Sequence, residues 1–465
     1  MRKPNLIIFL PDQQRVDTIG NPKVHAPNLN KLAAESVVFE RAYVTHPVCT
    51  PSRSALLTGL WPHQTGCTRN GLTLDPRFRI LPELLGDPDY YTAYMGKWHL
   101  GPNGFLERGF REWIPTEGPS PYADFLKAHG QKPDKPNGAF SKIAVSHLPL
   151  ELSKPKFLET KACEFIRRHR HEPFLLFVAY VEPHSPYNGP LNDEHPLDEM
   201  DIDLTANIPN EDEPLRYRLM REWQEEEAAL DRQRHPLQYF FGTTPDEYRE
   251  IKQRYLGLVT LVDLSIGGIL KCLDDVDLAG DTIVVHTSDH GDTLGAHRLF
   301  GKEVMYEEAT RVPWLIRLPE RQARRIAEPV SHIDFVPTLL DLLGRPKIDS
   351  LPGKSLLPRM RGESVDPQNV FIEWAPNRIK TKAKTTLARR RDIKRAVSES
   401  TRTVVTPDGW KLSRRDGDLN ELYNLNDDPH ETRNLCSDER YQTKVGHLTD
   451  VILRWQRSVA DSLAL

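Results

Sequence analysis

Four short apolar runs in this chain each break off into polar, chemically capable side chains, and that repeated break limits the fold more than any other feature. Leu6–Leu10 gives way to Pro11, Asp12, Gln13 and Gln14, and Tyr91–Met95 to Gly96, Lys97, Trp98 and His99. Pro173–Val181 ends in Glu182, Pro183 and His184, and Asp281–Thr287 in Ser288, Asp289, His290, Gly291 and Asp292. Short continuous apolar runs suit strands covered on both faces. Helix signals lie between them. Asn28–Ser36 is one, and a second opens at Thr50 with Pro51 in its first turn. The longest repeats every three or four residues through Tyr248, Ile251, Tyr255, Val259, Val262, Ile266 and Ile269. With Val37–Tyr43 and Arg311–Leu318 as strands and His332–Leu343 as a helix, the pattern predicts an α/β fold, a mostly parallel sheet sandwiched by helices. Ligands of such sheets bind beyond the carboxyl ends of the strands, so the four polar breaks are expected to converge.

The length, 465 residues, allows a large domain and a smaller one. We expect the first over residues 1–355 and a smaller C-terminal α+β domain over 366–465. The latter holds a strand at Phe371–Trp374, β-like runs within Thr403–Ser413 around a Pro-Asp-Gly turn, and a helix through Tyr441, Val445, Leu448, Ile452 and Trp455. The Pro- and Gly-rich stretch Gly118–Phe140 reads as loop, and the acidic, proline-punctuated residues 188–243 as a lid or insertion. A net charge of −4 gives no case for nucleic acid or membrane binding. No stretch reads as the ~20 apolar residues of a membrane span. Leu6–Leu10 is too short for a secretory h-region, so the sequence reads as cytoplasmic. Five cysteines, at 49, 67, 163, 272 and 436, form no disulfide framework.

Asp12, Gln13, Asp289 and His290 offer two carboxylates, an amide oxygen and an imidazole, a set suited to a divalent cation. Each alone reads as readily as a turn or capping residue; their recurrence at one sheet edge gives them weight. Lys97, His99, His184 and Lys302 add positive or proton-carrying groups, and with a metal they describe a site for a tetrahedral anion. Cys49 lies just ahead of a helix, where it reads either as a small buried residue or as a reactive thiolate.

His46–Gly59, HPVCTPSRSALLTG, resembles the signature of the formylglycine-dependent type I sulfatases of the alkaline phosphatase superfamily. The resemblance extends through PNLIIFLPDQ, TAYMGKWHLG, VEPHSPY, TSDHGDTLGAHRLFGK and ELYNLNDDPHETRNL, in the family's order. It implies an alkaline phosphatase-like fold and a Cys49 oxidised to formylglycine by a formylglycine-generating enzyme. It further implies metal ligation by Asp12, Gln13, Asp289, His290 and modified residue 49, with calcium ahead of manganese or magnesium. Arg53 would hold the hydrated aldehyde, Lys97 and Lys302 the sulfate, His184 the leaving-group oxygen, and His99 would assist release. Asn70 would be a further substrate contact. The implied reaction is hydrolysis of a sulfate ester, of a sulfated carbohydrate or small organosulfate.

Gln13 and His290 stand where many members have a carboxylate and an asparagine. The same pairs occur in related phosphonate monoester and phosphodiester hydrolases, which are the alternative reading. Lys97-x-His99 is the sulfatase form, where those enzymes carry Tyr and Thr. An unmodified protein that binds sulfated glycans is the non-enzymatic alternative. Nine basic residues against Asp392 alone in Arg378–Arg395 read as a solvated loop or, more sharply, as a flap over an anionic substrate.

Overall fold

The computed structural model describes residues 3–102, 108–208, 212–234, 241–377 and 385–465. The four apolar runs form strands β1 (Asn5–Asp12), β3 (Tyr91–Gly96), β5 (Phe174–Pro183) and β6 (Thr282–Thr287). With β2 (Val37–Tyr43), β4 (Glu112–Ile114), β7 (Arg311–Val312), β8 (Trp314–Arg317) and β9 (Arg324–Ser331) they build, among the described residues, a nine-stranded sheet. Its order is β4-β3-β5-β1-β6-β8-β2-β7, with β9 beside β2. The pairs β4/β3, β3/β5, β5/β1, β1/β6 and β2/β9 run parallel; only β7 and β8 are antiparallel to their neighbours.

Alternation along β1 shows why the run is apolar throughout. Leu6, Ile8 and Leu10 enter one core cluster while Ile7 and Phe9 enter another on the opposite face. The second face is covered by the helices Lys154–Arg168 and Pro245–Asp275. The latter opens with Thr244 and Glu247 in a capping box and buries Ile251, Tyr255, Val259, Val262, Ile266 and Ile269, the residues of the sequence repeat. Contrary to the sequence reading, this 31-residue helix is long and apolar enough to cross a bilayer. Most of its apolar window is buried against the sheet.

A second sheet follows, antiparallel, in the order β10 (Val370–Trp374), β11 (Thr401–Val405), β12 (Trp410–Arg415) and β13 (Glu421–Asn424). The helix Gln442–Ser458 packs Val445, Leu448, Val451 and Ile452 on it.

Two expectations change. The expected loop Gly118–Phe140 contains a helix, Pro121–Ala128, started by Ser120 accepting from the Ala123 N–H and held by buried Tyr122 and Leu126. Pro313 divides the expected strand Arg311–Leu318 into β7 and β8. Residues 188–243, read as a lid or insertion, include the helix Leu215–Arg234, whose Arg216 and Tyr217 are fully buried. In the basic stretch, 378–384 lie outside the described residues; Arg390–Val397 is a helix with Arg390 and Arg391 exposed.

Candidate active site

The strand ends do converge. Cys49 opens the helix Cys49–Thr58, all ten residues of which are buried. Its Sγ lies 3.1 Å from His290 Nε2, 3.8 Å from Asp12 Oδ1 and 3.9 Å from Lys97 Nζ. Asp12 ends β1, Lys97 follows β3, and Asp289 and His290 follow β6. Arg53, one turn into the Cys49 helix, donates from Nε to Asp289 Oδ2 (2.7 Å), from Nη2 to Asp12 Oδ2 (3.2 Å) and from Nη1 to the Lys97 carbonyl (2.9 Å). Lys97 Nζ donates to Asp12 Oδ2. One arginine thus ties three strand ends to the helix that carries the thiol.

Two glycines allow this crowding. A Cβ on Gly96, the residue before Lys97, would stand 1.8 Å from the Ala179 carbonyl oxygen. One on Gly291, after His290, would stand 1.9 Å from that of Glu308. The backbone is also forced into the left-handed region at three non-glycine positions, Gln13 (φ 70°), His99 (61°) and Glu303 (79°). Each costs on the order of 1 kcal/mol and survives only where the surroundings over-determine it.

Could these residues hold a metal? The ligand atoms of Asp12, Cys49, Asp289 and His290 lie within 4.8 Å of one another. That spacing lets the four side chains meet on a single divalent cation. The donors are also turned the right way. His290 Nδ1 lies 2.9 Å from the Gly291 carbonyl, to which it donates, and that turns Nε2 toward Cys49. Gln13 Nε2 donates to Asp292 Oδ2 (2.5 Å) and Tyr187 Oη (3.3 Å), which turns Oε1 toward Lys302 Nζ at 2.6 Å. The set fits a hard divalent ion.

Electrostatics favour anions here. Burial alone would raise the Cys49 thiol, yet Lys302, Lys97 and His290 bring it well below its ordinary value. Asp12 is held well below the usual carboxylate range despite burial, by Lys97 and Lys302. Burial, helped by Lys302 and Lys142, pushes His184 down to about 3, so its imidazole is neutral. His184 Nδ1 lies 2.7 Å from the Ser185 carbonyl and holds the ring beside the thiol.

Two expected residues have structural work as well. Asn70 Oδ1 accepts from the Thr50 N–H at 3.0 Å, an outside cap on the Cys49 helix, so only its amide nitrogen can face a ligand. His99 has its carbonyl held by Thr50 Oγ1 (2.8 Å), while Nδ1 is buried with no protein partner. Sequence reasoning missed Tyr187, Asp292 and Tyr94, which orient Gln13 and, through the Tyr94 hydroxyl at 2.6 Å, the Lys97 carbonyl. Tyr187 and Asp292 lie within motifs singled out for their histidines. Their signal was position, not residue type.

The family model described as Sulfatase matches residues 4–345, and that described as N-sulphoglucosamine sulphohydrolase, C-terminal, matches 295–458. A relative from Escherichia coli (strain K12), named an uncharacterized sulfatase, is 27% identical over 99% of this chain and 88% of its own. Among solved structures, an enzyme in complex with its substrate D-glucosamine-2-N,6-O-disulfate superposes with a TM-score of 0.77 at 22% identity, covering 99% of both chains. A phosphonate monoester hydrolase from Silicibacter pomeroyi superposes with a TM-score of 0.81 at 22% identity, covering 99% of this chain and 96% of its own.

Proposed function

From the premise that this chain belongs to the sulfatase family, and is thus a sulfuric ester hydrolase of the alkaline phosphatase superfamily, we propose that it cleaves a sulfated carbohydrate with formylglycine made from Cys49. The observation that carries this is Cys49 at a helix mouth, inside the ring of Asp12, Asp289 and His290, with Lys97 and Lys302 on its flanks. We assign the metal to Asp12, Gln13, Asp289, His290 and modified residue 49, and keep calcium ahead of manganese and magnesium. The maturation partner would be a formylglycine-generating enzyme.

Bound there, the metal would supply Lewis acidity toward the nucleophile's oxygen and the sulfate. Formylglycine would supply a hydrated aldehyde, whose second hydroxyl allows sulfate to be expelled without attack by water. The chain's own residues do the rest. Arg53 fixes Asp12 and Asp289 and lies under the side chain of residue 49. Lys97 and Lys302 face the pocket from opposite sides and stabilise charge on the equatorial oxygens. His184, neutral with Nδ1 on a carbonyl, presents the Nε2 lone pair. The arriving sulfate's negative charge favours its protonated form, the state able to donate to the departing oxygen. His99, with Nδ1 unpartnered, is the base assigned to the release step.

The sulfated-sugar reading draws support from the relative solved with a glucosamine disulfate. The likeness in fold to a phosphonate monoester hydrolase favours keeping the second reading. Rates on 4-nitrophenyl sulfate, an aryl phosphonate and an aryl phosphodiester separate the two. We expect the sulfate to be fastest; a strong phosphonate preference overturns the assignment. Mass analysis of the Cys49 peptide, captured as a hydrazone, should show the aldehyde, and an intact thiol in fully active enzyme would refute the nucleophile.

A further inference from the structure

A cleft beside His184 is walled by Lys142, Ser153, Lys154, Glu182, His184 and Asn188. Its chemistry is not that of a packing defect. Lys154 is 93% buried by residue (7% exposed), and neither a hydrogen bond nor an ion pair holds its ammonium. Its stem is packed away while the ammonium opens into the cleft without a counterion among the described residues. It also begins the 15-residue helix Lys154–Arg168, whose N-terminal dipole adds positive potential at the same point. Pro155 at the second position removes one N–H, and Ser153 Oγ takes that of Lys156, so the helix contributes field more than donors.

Lys142 stands on the cleft's rim, its Nζ only 3.5 Å from the Ser185 carbonyl. The only carboxylate among the described lining residues is Glu182, and its Oε2 is buried with no hydrogen-bond donor. Burial raises Glu182 despite the nearby lysines. The cleft therefore holds two ammonium groups without an ion pair and one acceptor without a donor, with His184 in its wall.

We propose that this cleft is a subsite for a second anionic group of the substrate, carried by the leaving alcohol, with Lys154 and Lys142 binding the anion and Glu182 accepting from a neighbouring hydroxyl. His184 is shared by the two sites, which places the second charge on the leaving-group side of the scissile ester. The substrate is then a sugar with a carboxylate or a second sulfate close to the sulfate removed. The inference rests on the sulfatase reading above and deepens it.

The test compares kcat/KM of the mature enzyme on 4-nitrophenyl sulfate, N-acetylglucosamine 6-sulfate, glucosamine 2-N,6-O-disulfate and a 2-O-sulfated uronate. Wild-type enzyme should prefer at least one of the doubly charged sugars over the singly charged one by about tenfold or more, the worth of a charge-assisted contact. Which one wins tells a second sulfate from a carboxylate. Lys154→Met and, separately, the rim variant Lys142→Met should each collapse that preference, mostly through KM. Equal rates on singly and doubly charged sugars, or a preference that survives both substitutions, overturn the subsite. No turnover of 4-nitrophenyl sulfate by protein carrying the aldehyde would instead overturn the sulfatase reading beneath it. If Lys154→Met does not fold, Lys142→Met and the wild-type comparison still decide.

Discussion

Two groups of buried charges lie only a few residues apart in this protein, and they are built to opposite rules. At the sheet edge, Asp12 and Asp289 face Arg53, Lys97 and Lys302, and Lys302 has only the neutral Gln13 amide at 2.6 Å. Between the two sheets, several buried carboxylates lie directly beside cations. Lys411 sits 2.9 Å from both Glu307 and Glu431, Arg216 is 2.7 Å from Glu399, and Arg415 pairs with Glu421. Tyr43 Oη adds a hydrogen bond to Glu307 at 3.0 Å. The first group leaves positive charge uncompensated; the second sets a cation against its carboxylates. Burial alone therefore does not mark a functional charge. Burial without a partner does, because the missing partner is the substrate.

That contrast can be broken at several points. Cys49→Ala should remove about 10⁴-fold or more of the sulfatase rate while leaving the melting temperature near wild type, since the nucleophile's step has no substitute. Retained turnover on an aryl sulfate would contradict the site. Lys411→Met should do the reverse. Leaving Glu307 and Glu431 buried without their cation costs about 3–5 kcal/mol, read by urea denaturation, with kcat of the folded fraction little changed. A variant as stable as wild type would show that the interface charges are not its glue. Lys302→Ala should lower kcat by about 10²–10³-fold with little loss of stability, because it deletes an uncompensated cation. A comparable fall in both would erase the distinction between the two groups.

The smallest effect is expected where the two sheets meet at His63, whose Nδ1 lies 2.5 Å from Glu373 Oε1 on β10. Burial opposes charging this imidazole, but the Glu373 contact wins and raises it. A raised histidine stabilises the fold fully below its unfolded value near 6.5 and loses that contribution as pH rises through the folded value. Melting temperature should fall across that window by an amount worth under about 1 kcal/mol. His63→Gln should flatten the slope; an unchanged slope would place the titration elsewhere.

How much of this was legible beforehand follows from what each residue depends on. The continuous apolar runs identified β1, β3, β5 and β6 because a strand covered on both faces has little room for polarity. The same runs hid β9, Arg324–Ser331, where a sheet edge tolerates arginine and glutamate. Asp12, Lys97, Asp289 and His290 were readable as strand-end chemistry. Asn70 was readable only as a possible contact, since its cap on Thr50 joins residues that the chain does not make neighbours. Arg216, in a stretch read as a lid or insertion, gave no local sign of burial; its stacking over Trp374, centroid 4.3 Å away, needs both sheets in place.

The sequence by itself determined the alternation of strands and helices, the positions of the reactive side chains at the strand ends, and the Cys-Thr-Pro-Ser-Arg opening of a helix. These are local properties, set by hydrophobic period and by which residues start and stop an element. Only the tertiary structure decided which way Gln13 points, which lysines stay unpaired and which carboxylates are neutralised. Those outcomes depend on charges brought together from distant parts of the chain, in a medium where a partner at 3 Å or its absence changes the free energy by several kcal/mol.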